Sequence, residues 1–137
     1  MTNRTLKFRA WDKLAKQFTY PDKGYQGHYI LSLNGQFQNL QNGSGGGEYV
    51  VQQFTGLKDS KGTDIYEGDV VKIIYEGTIA EVYFDSNICA FRLKDNTSKS
   101  YPITTYRFDE SHNPIGLINV FDEVVGNIFE NSELLKQ

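Results

Sequence analysis

The sequence predicts a mainly β fold: a small barrel-like or strongly bent antiparallel sheet, with an N-terminal hairpin and a short C-terminal helical turn. Three observations carry this. Aromatic residues make up 14% of the chain, nine Tyr, nine Phe and one Trp, and with abundant Val, Ile and Thr they favour pleated strands over helices. Apolar and polar residues alternate in short runs separated by tight-turn residues. The stretch QFTGLKDSKGTDIYEGDVVKI, residues 53–73, concentrates both signals. There Asp59 can bond its own backbone and Gly62 can take a left-handed conformation.

The elements follow in order. Residues 5–11 alternate, with Leu6, Phe8 and Ala10 on one face and Lys7, Arg9 and Trp11 on the other. Residues 18–20 form a short return strand that Pro21 stops. Segments 29–33 and 36–40 flank Asn34-Gly35, the strongest short hairpin signal. The Gly-rich loop 42–47 (NGSGGG) is expected to be flexible; it could pass for a domain linker, but neither side holds enough apolar residues to fold alone. The whole of 1–137 is therefore read as a single domain. Residues 48–130 read as a β meander with strands at 48–55, 69–75, 78–84, 88–93, 99–108 and 123–130, and 115–121 as strand or short helical turn.

Within the meander, Ala80, Val82 and Phe84 are expected to point inward, continued by Cys89, Phe91 and Leu93 after the Asp85-Ser86-Asn87 turn. Gly68 should need a positive φ before its strand. Gly126 marks a bulge or a close backbone approach. Residues 132–136 should make one helical turn with Asn131 as cap.

Composition narrows the function classes. A chain of 137 residues can bury about two-thirds of its unfolded surface. Fourteen Lys and Arg against seventeen Asp and Glu give a net charge of −3, which opposes nucleic-acid binding by bulk electrostatics. Cys89, the one cysteine, permits neither an intramolecular disulfide nor a Cys-based zinc site and suits a reducing cytoplasm. No apolar leader or span is visible, so a soluble, cytoplasmic protein with no membrane association is expected.

No catalytic or metal-ligating set assembles from the residues present, and no cofactor is expected. His28 and His112 both fall in predicted loops without a second ligand at metal spacing. Cys89, on an inward face, is a small hydrophobe rather than a nucleophile. Asp64, Glu67 and Asp69, with Asp59 nearby, form the one acidic cluster. Paired carboxylates can bind a hard cation or act as acid and base, but the spacing does not match a calcium loop. Asp69 is instead read as accepting amide bonds at a strand entry, with Glu67 solvated.

Two surfaces are candidates for macromolecular contact. The first is Arg9 and Trp11 with Tyr66, Glu67 and Asp69: an outward Trp beside an Arg is a typical interface anchor, although Trp11 could equally cover the edge of the core. The second, an alternative, is a nucleic-acid face of Lys72, Arg92, Lys94, Lys99 and Arg107 interleaved with Tyr101 and Tyr106, as in small barrels that stack bases along a basic groove. Asp85, Asp95 and Asp109 interrupt that face.

KFRAWDK at 7–13, the run at 53–73 and EVVGNIFENSELL at 123–135 together resemble the YopX family of phage and prophage proteins. That family has no established biochemical activity. The resemblance implies an accessory phage or prophage protein inside a bacterial host cell, acting through self-association or through a host or phage protein partner rather than by catalysis.

Overall fold

The alternation at the start of the chain becomes strand β1 (Phe8–Asp12), seen in a computed structural model that describes residues 4–20, 29–40, 48–74 and 77–136. The expected Gly-rich loop 42–47, His28, Tyr75 and Glu76 lie outside the described residues. The protein is mainly β, with 57% strand and no helix of 7 residues or more among the described residues. The chain has two compact units, Met1–Gly56 and Leu57–Gln137.

In the first unit β1 is central. It pairs antiparallel with β2 (Gln17–Thr19) and with β5 (Tyr49–Lys58), placing Trp11 opposite both Phe18 and Val50. Strands β3 (Tyr29–Leu31) and β4 (Phe37–Asn39) form a hairpin of their own. The Asn-Gly signal is a three-residue loop rather than a two-residue one. Ser32 N–H donates to Gln36 O at 2.9 Å and Gly35 has φ 87°, a type I turn closed by a left-handed residue.

The second unit begins in the last residues of β5, which lead through the Asp59 turn into β6 (Asp64–Tyr66). Then follow β7 (Asp69–Ile73), β8 (Ile79–Asp85), β9 (Ala90–Asp95), β10 (Ser100–Pro102), β11 (Thr104–Phe108), β12 (Pro114–Asn119), β13 (Phe121–Asn127) and a 3-10 helix, Ser132–Lys136. Five strands form one antiparallel sheet, in the order β10-β9-β8-β7-β13, which curls into a half-barrel. Its inner face pairs Val71 with Ala80 and Val82 with Leu93. These join Ile65, Ile73, Val120 and Phe121 in the core; each Val, Leu, Ile or Phe side chain fully withdrawn from water stabilises the fold by roughly 1.5–3 kcal/mol.

Three sequence expectations need correction here. Phe84 is 45% exposed, Phe91 is half-buried, and Cys89 is exposed in the turn before β9. The inward stripe stops because β7 pairs with β8 only as far as Glu81, so the end of the β8–β9 hairpin has no third strand. Phe84 and Phe91 shield one another instead, rings 5.3 Å apart and edge to face. The strand expected over 99–108 is broken at Pro102, which cannot continue a hydrogen-bond ladder. Ile103 then packs against the core and the chain leaves the sheet to form the β11–β12 hairpin. The 115–121 segment resolves into β12 and the start of β13.

The side chain of Asn131 does not cap the 3-10 helix. Its Oδ1 accepts from the Asn127 N–H at 3.2 Å, while its backbone carbonyl receives Leu134 N–H at 3.0 Å. Gly126 is the close approach expected of it: an added Cβ would lie 2.6 Å from Asn131 Oδ1, beside an irregular step in the β13–β7 register.

Candidate functional site

Arg9 and Trp11, expected outward, are only 4% and 6% exposed. Arg9, Ala10 and Trp11 are buried in succession, so β1 is withdrawn from water on both faces. Trp11 meets the edge of Phe18 at 4.9 Å between centroids. The Arg9 guanidinium lies 4.2 Å above that same ring, donates from Nε to Gln52 Oε1 at 2.9 Å and from Nη1 to Tyr20 Oη at 3.4 Å. A buried guanidinium stacked on an aromatic ring and hydrogen-bonded at its edge is a packing element of the first unit. The pair offers no exposed anchor.

In the second unit the acidic cluster is taken up by the backbone. Asp69, 3% exposed, accepts the Tyr66 N–H at 2.8 Å. Between them Gly68 has φ 84°, donates to Val82 O at 2.7 Å and accepts from Ile128 N at 2.9 Å. Tyr66 is likewise buried and Glu67 half-buried, so this turn is an internal joint. Asp64 pairs with Lys58. Asp59 does the most: Oδ1 accepts from Lys61 N and Thr63 N at 2.9 and 2.8 Å, and Oδ2 from Val124 N at 3.0 Å. Burial pushes its carboxyl up, yet the converging amides of Val124, Thr63 and Lys61 outweigh that and hold it below the ordinary carboxylate value. Among the described residues no three His, Cys, Asp or Glu side chains come together in a way that could hold a metal ion.

The basic and aromatic residues fall in three places. Arg92 and Lys94 alternate with the core residue Leu93 on β9, so they lie on the outer face of the sheet. There Lys94 sits 4.9 Å over Tyr83, and Ser100 Oγ takes a hydrogen bond from Arg92 Nε at 2.7 Å and shares one with Tyr83 Oη at 2.8 Å. Lys72 shares that face, since it alternates with Val71 and Ile73. Tyr101 pairs with Leu93 and packs on the core side, with Lys99 5.0 Å above its ring and its hydroxyl donating to Asp95 at 2.9 Å. Tyr106 and Arg107 stand on the β11–β12 hairpin, on opposite faces by alternation. The seven residues do not form one continuous groove.

The first unit also holds a cavity of about 280 Å³, walled by Phe8, Arg9, Ala10, Tyr20, Tyr29 and Phe37 among others. In the second unit, the feature that sequence reasoning missed is the β11–β12 hairpin. Tyr106 and Leu117 stand directly across from each other, Phe108 adjoins Tyr106 with ring centroids 6.4 Å apart, and Ile115 precedes Leu117 by two positions. All four are more than half exposed. Alternation on both sides of the Asp109 turn was the available signal, obscured because 99–108 reads as one strand and 115–121 is ambiguous.

The YopX protein family model matches residues 7–136, taking in nearly the whole chain. No curated protein matches the sequence. Among solved structures, the chain is similar to the crystal structure of protein EF1440 from Enterococcus faecalis. The likeness has 25% identity and a TM-score of 0.53, and covers 97% of this chain and 99% of that one.

Proposed function

This chain belongs to the YopX family, and from that premise we propose that it is a non-enzymatic interaction module, an accessory phage or prophage protein of the bacterial cytoplasm. The observation that carries the proposal is the β11–β12 face. Tyr106, Phe108 and Leu117 are each 56–63% exposed, with Tyr106 directly opposite Leu117 and its ring centroid 6.4 Å from that of Phe108, and neighbouring exposed apolar side chains of this kind support a contact surface. The absence of catalysis is supported by the commitment of Asp59 and Asp69 to backbone amides, which takes two of the four carboxylates of that cluster out of acid–base work. No helix among the described residues is long and apolar enough to cross a membrane.

The test is a photo-crosslinking amino acid at position 117 of the full chain in bacterial cells, with position 14 as a control because Leu14 is also exposed, in the β1–β2 turn. A discrete protein adduct at 117 and none at 14 is expected. No adduct at 117, or the same adducts at both positions, overturns the assignment of this face.

The outer sheet face supports a second reading, binding of single-stranded nucleic acid, through Arg92 and Lys94 beside Tyr83. Its mark would be a labelled single-stranded DNA shift that weakens steeply as salt rises.

A further inference from the structure

We infer that the cavity of the first unit is a binding site for a small, neutral, two-ring aromatic molecule. It lies between one face of the β2-β1-β5 sheet and the β3–β4 hairpin, and residues of all five strands wall it. On the sheet side the register places Ala10 directly between Thr19 and Val51. Ala10 is 1% exposed and forms the floor, with Thr19 and Val51 half-buried on either side of it. On the hairpin side Leu31 stands across from Phe37. The Phe37 ring stacks with Tyr29 at 5.6 Å between centroids and tilts onto Tyr49 at 4.8 Å. Facing layers of strands stand about 10 Å apart, so three short side chains opposite these rings leave a gap.

The walls fix the chemistry of the occupant. The gap is about 280 Å³, roughly twice the ~150 Å³ of a dry cavity that takes a single benzene ring, so it accommodates two fused rings. Among the described residues that wall it there is no Asp or Glu. Lys7 and Arg9 are on β1, but their side chains turn to the opposite face of the sheet, over Phe54 and Phe18. A charged ligand would therefore be buried without a counter-ion, at a cost that a neutral one avoids. The rings of Phe8, Tyr29 and Phe37 offer edges and faces to an aromatic guest. Thr19 adds a hydroxyl that can accept from a ring N–H or O–H. Leu6 and Ile30, 57% and 46% exposed, also line the cavity, so the ligand can enter from solvent on their side.

Protein-observed NMR on the isotope-labelled full chain tests this, with indole and naphthol as probes up to about 5 mM, a range suited to ligands of this size. Each probe should move the amide signals of Ala10, Thr19, Leu31 and Val51 saturably, with a dissociation constant below about 1 mM. The carboxylate analogue of indole, which adds a charge to the same rings, should bind at least about tenfold more weakly. Thr19→Phe, which fills the gap from the edge strand, should abolish the shifts, and Leu14→Phe should not. Near-UV circular dichroism checks that each variant is folded; if Thr19→Phe unfolds, Val51→Phe carries the same outcomes. No saturable shift at these residues from either probe overturns the inference, as do shifts centred on the β11–β12 hairpin or a folded Thr19→Phe that binds like the parent. Equal affinity for the carboxylate analogue overturns the neutral class of ligand.

Discussion

Gly68 adopts φ 84° between Tyr66 and Asp69, and its N–H and C=O are both bonded, to Val82 and Ile128. A β-branched residue resists that backbone region, and the two bonds prevent the turn from relaxing. Gly68→Val should therefore cost on the order of 1–3 kcal/mol. Urea denaturation measures it, and a midpoint equal to the parent's would mean that the turn has another conformation available. The residue types alone indicated this position, because Glu67-Gly68-Asp69 sits between apolar pairs. They also indicated Asp69 as an amide acceptor. They did not indicate that Asn131 reaches back to Asn127, since that bond depends on how closely β13 and the following turn approach each other.

At the scale of elements, one turn design recurs. Asp59, Asp95 and Asp109 each head a three-residue hairpin loop, with N–H bonds to Thr63, Lys99 and Asn113 carbonyls at 2.8, 3.0 and 3.0 Å. Each carboxylate also collects amides from its own loop: Lys61 and Thr63, Thr97 and Lys99, Ser111 and Asn113. The Thr97 hydroxyl bond and the other donors around Asp95 hold its pKa down to about 2, and the Asn113 amide leads those that lower Asp109. A carboxyl whose pKa is depressed on folding binds fewer protons in the native state than in the unfolded chain. Its stabilisation is then complete above the ordinary value of about 3.9 and is lost as pH falls through the folded value. The melting temperature should hold above about pH 5 and fall between about pH 4 and pH 2, with a shallower fall in Asp95→Asn. An unchanged slope in that variant would show that Asp95 contributes nothing to the acid response. Asp59 and Gly62 made the first of these loops legible in sequence; residues 109–114 read only as a surface loop and Asp95 only as an interruption of a basic face, because Ser98 and His112 hold the left-handed positions there at φ 69° and 65°, where no glycine signals the turn.

For the whole molecule, the sequence reads as one domain and the chain divides into two units at Gly56. Strand β5 spans that point, with Gly56 at φ 90°. A single cooperative transition is expected. Trp11, the one tryptophan, lies in the first unit and reports on it by fluorescence, whereas far-UV circular dichroism reports on all the strands. Coincident midpoints in denaturant are the expected outcome, and separated midpoints would make the units independent domains.

The sequence by itself determined the β class, most of the strands, the Asp59 and Gly68 turns and the family, since periodicity, turn chemistry and local motifs are properties of neighbouring residues. Only the tertiary structure decided which faces were covered. Trp11 alternates as an outward residue but lies in a strand flanked on both edges, beneath Phe18. Phe84 and Cys89 alternate as inward residues but extend past the end of β7. Tyr106, Phe108, Ile115 and Leu117, to which alternation assigned no buried face, stand exposed on a hairpin that leaves the sheet after Pro102 and Ile103. Alternation assigns a side chain to a face of its strand; whether that face meets water depends on strands distant in sequence.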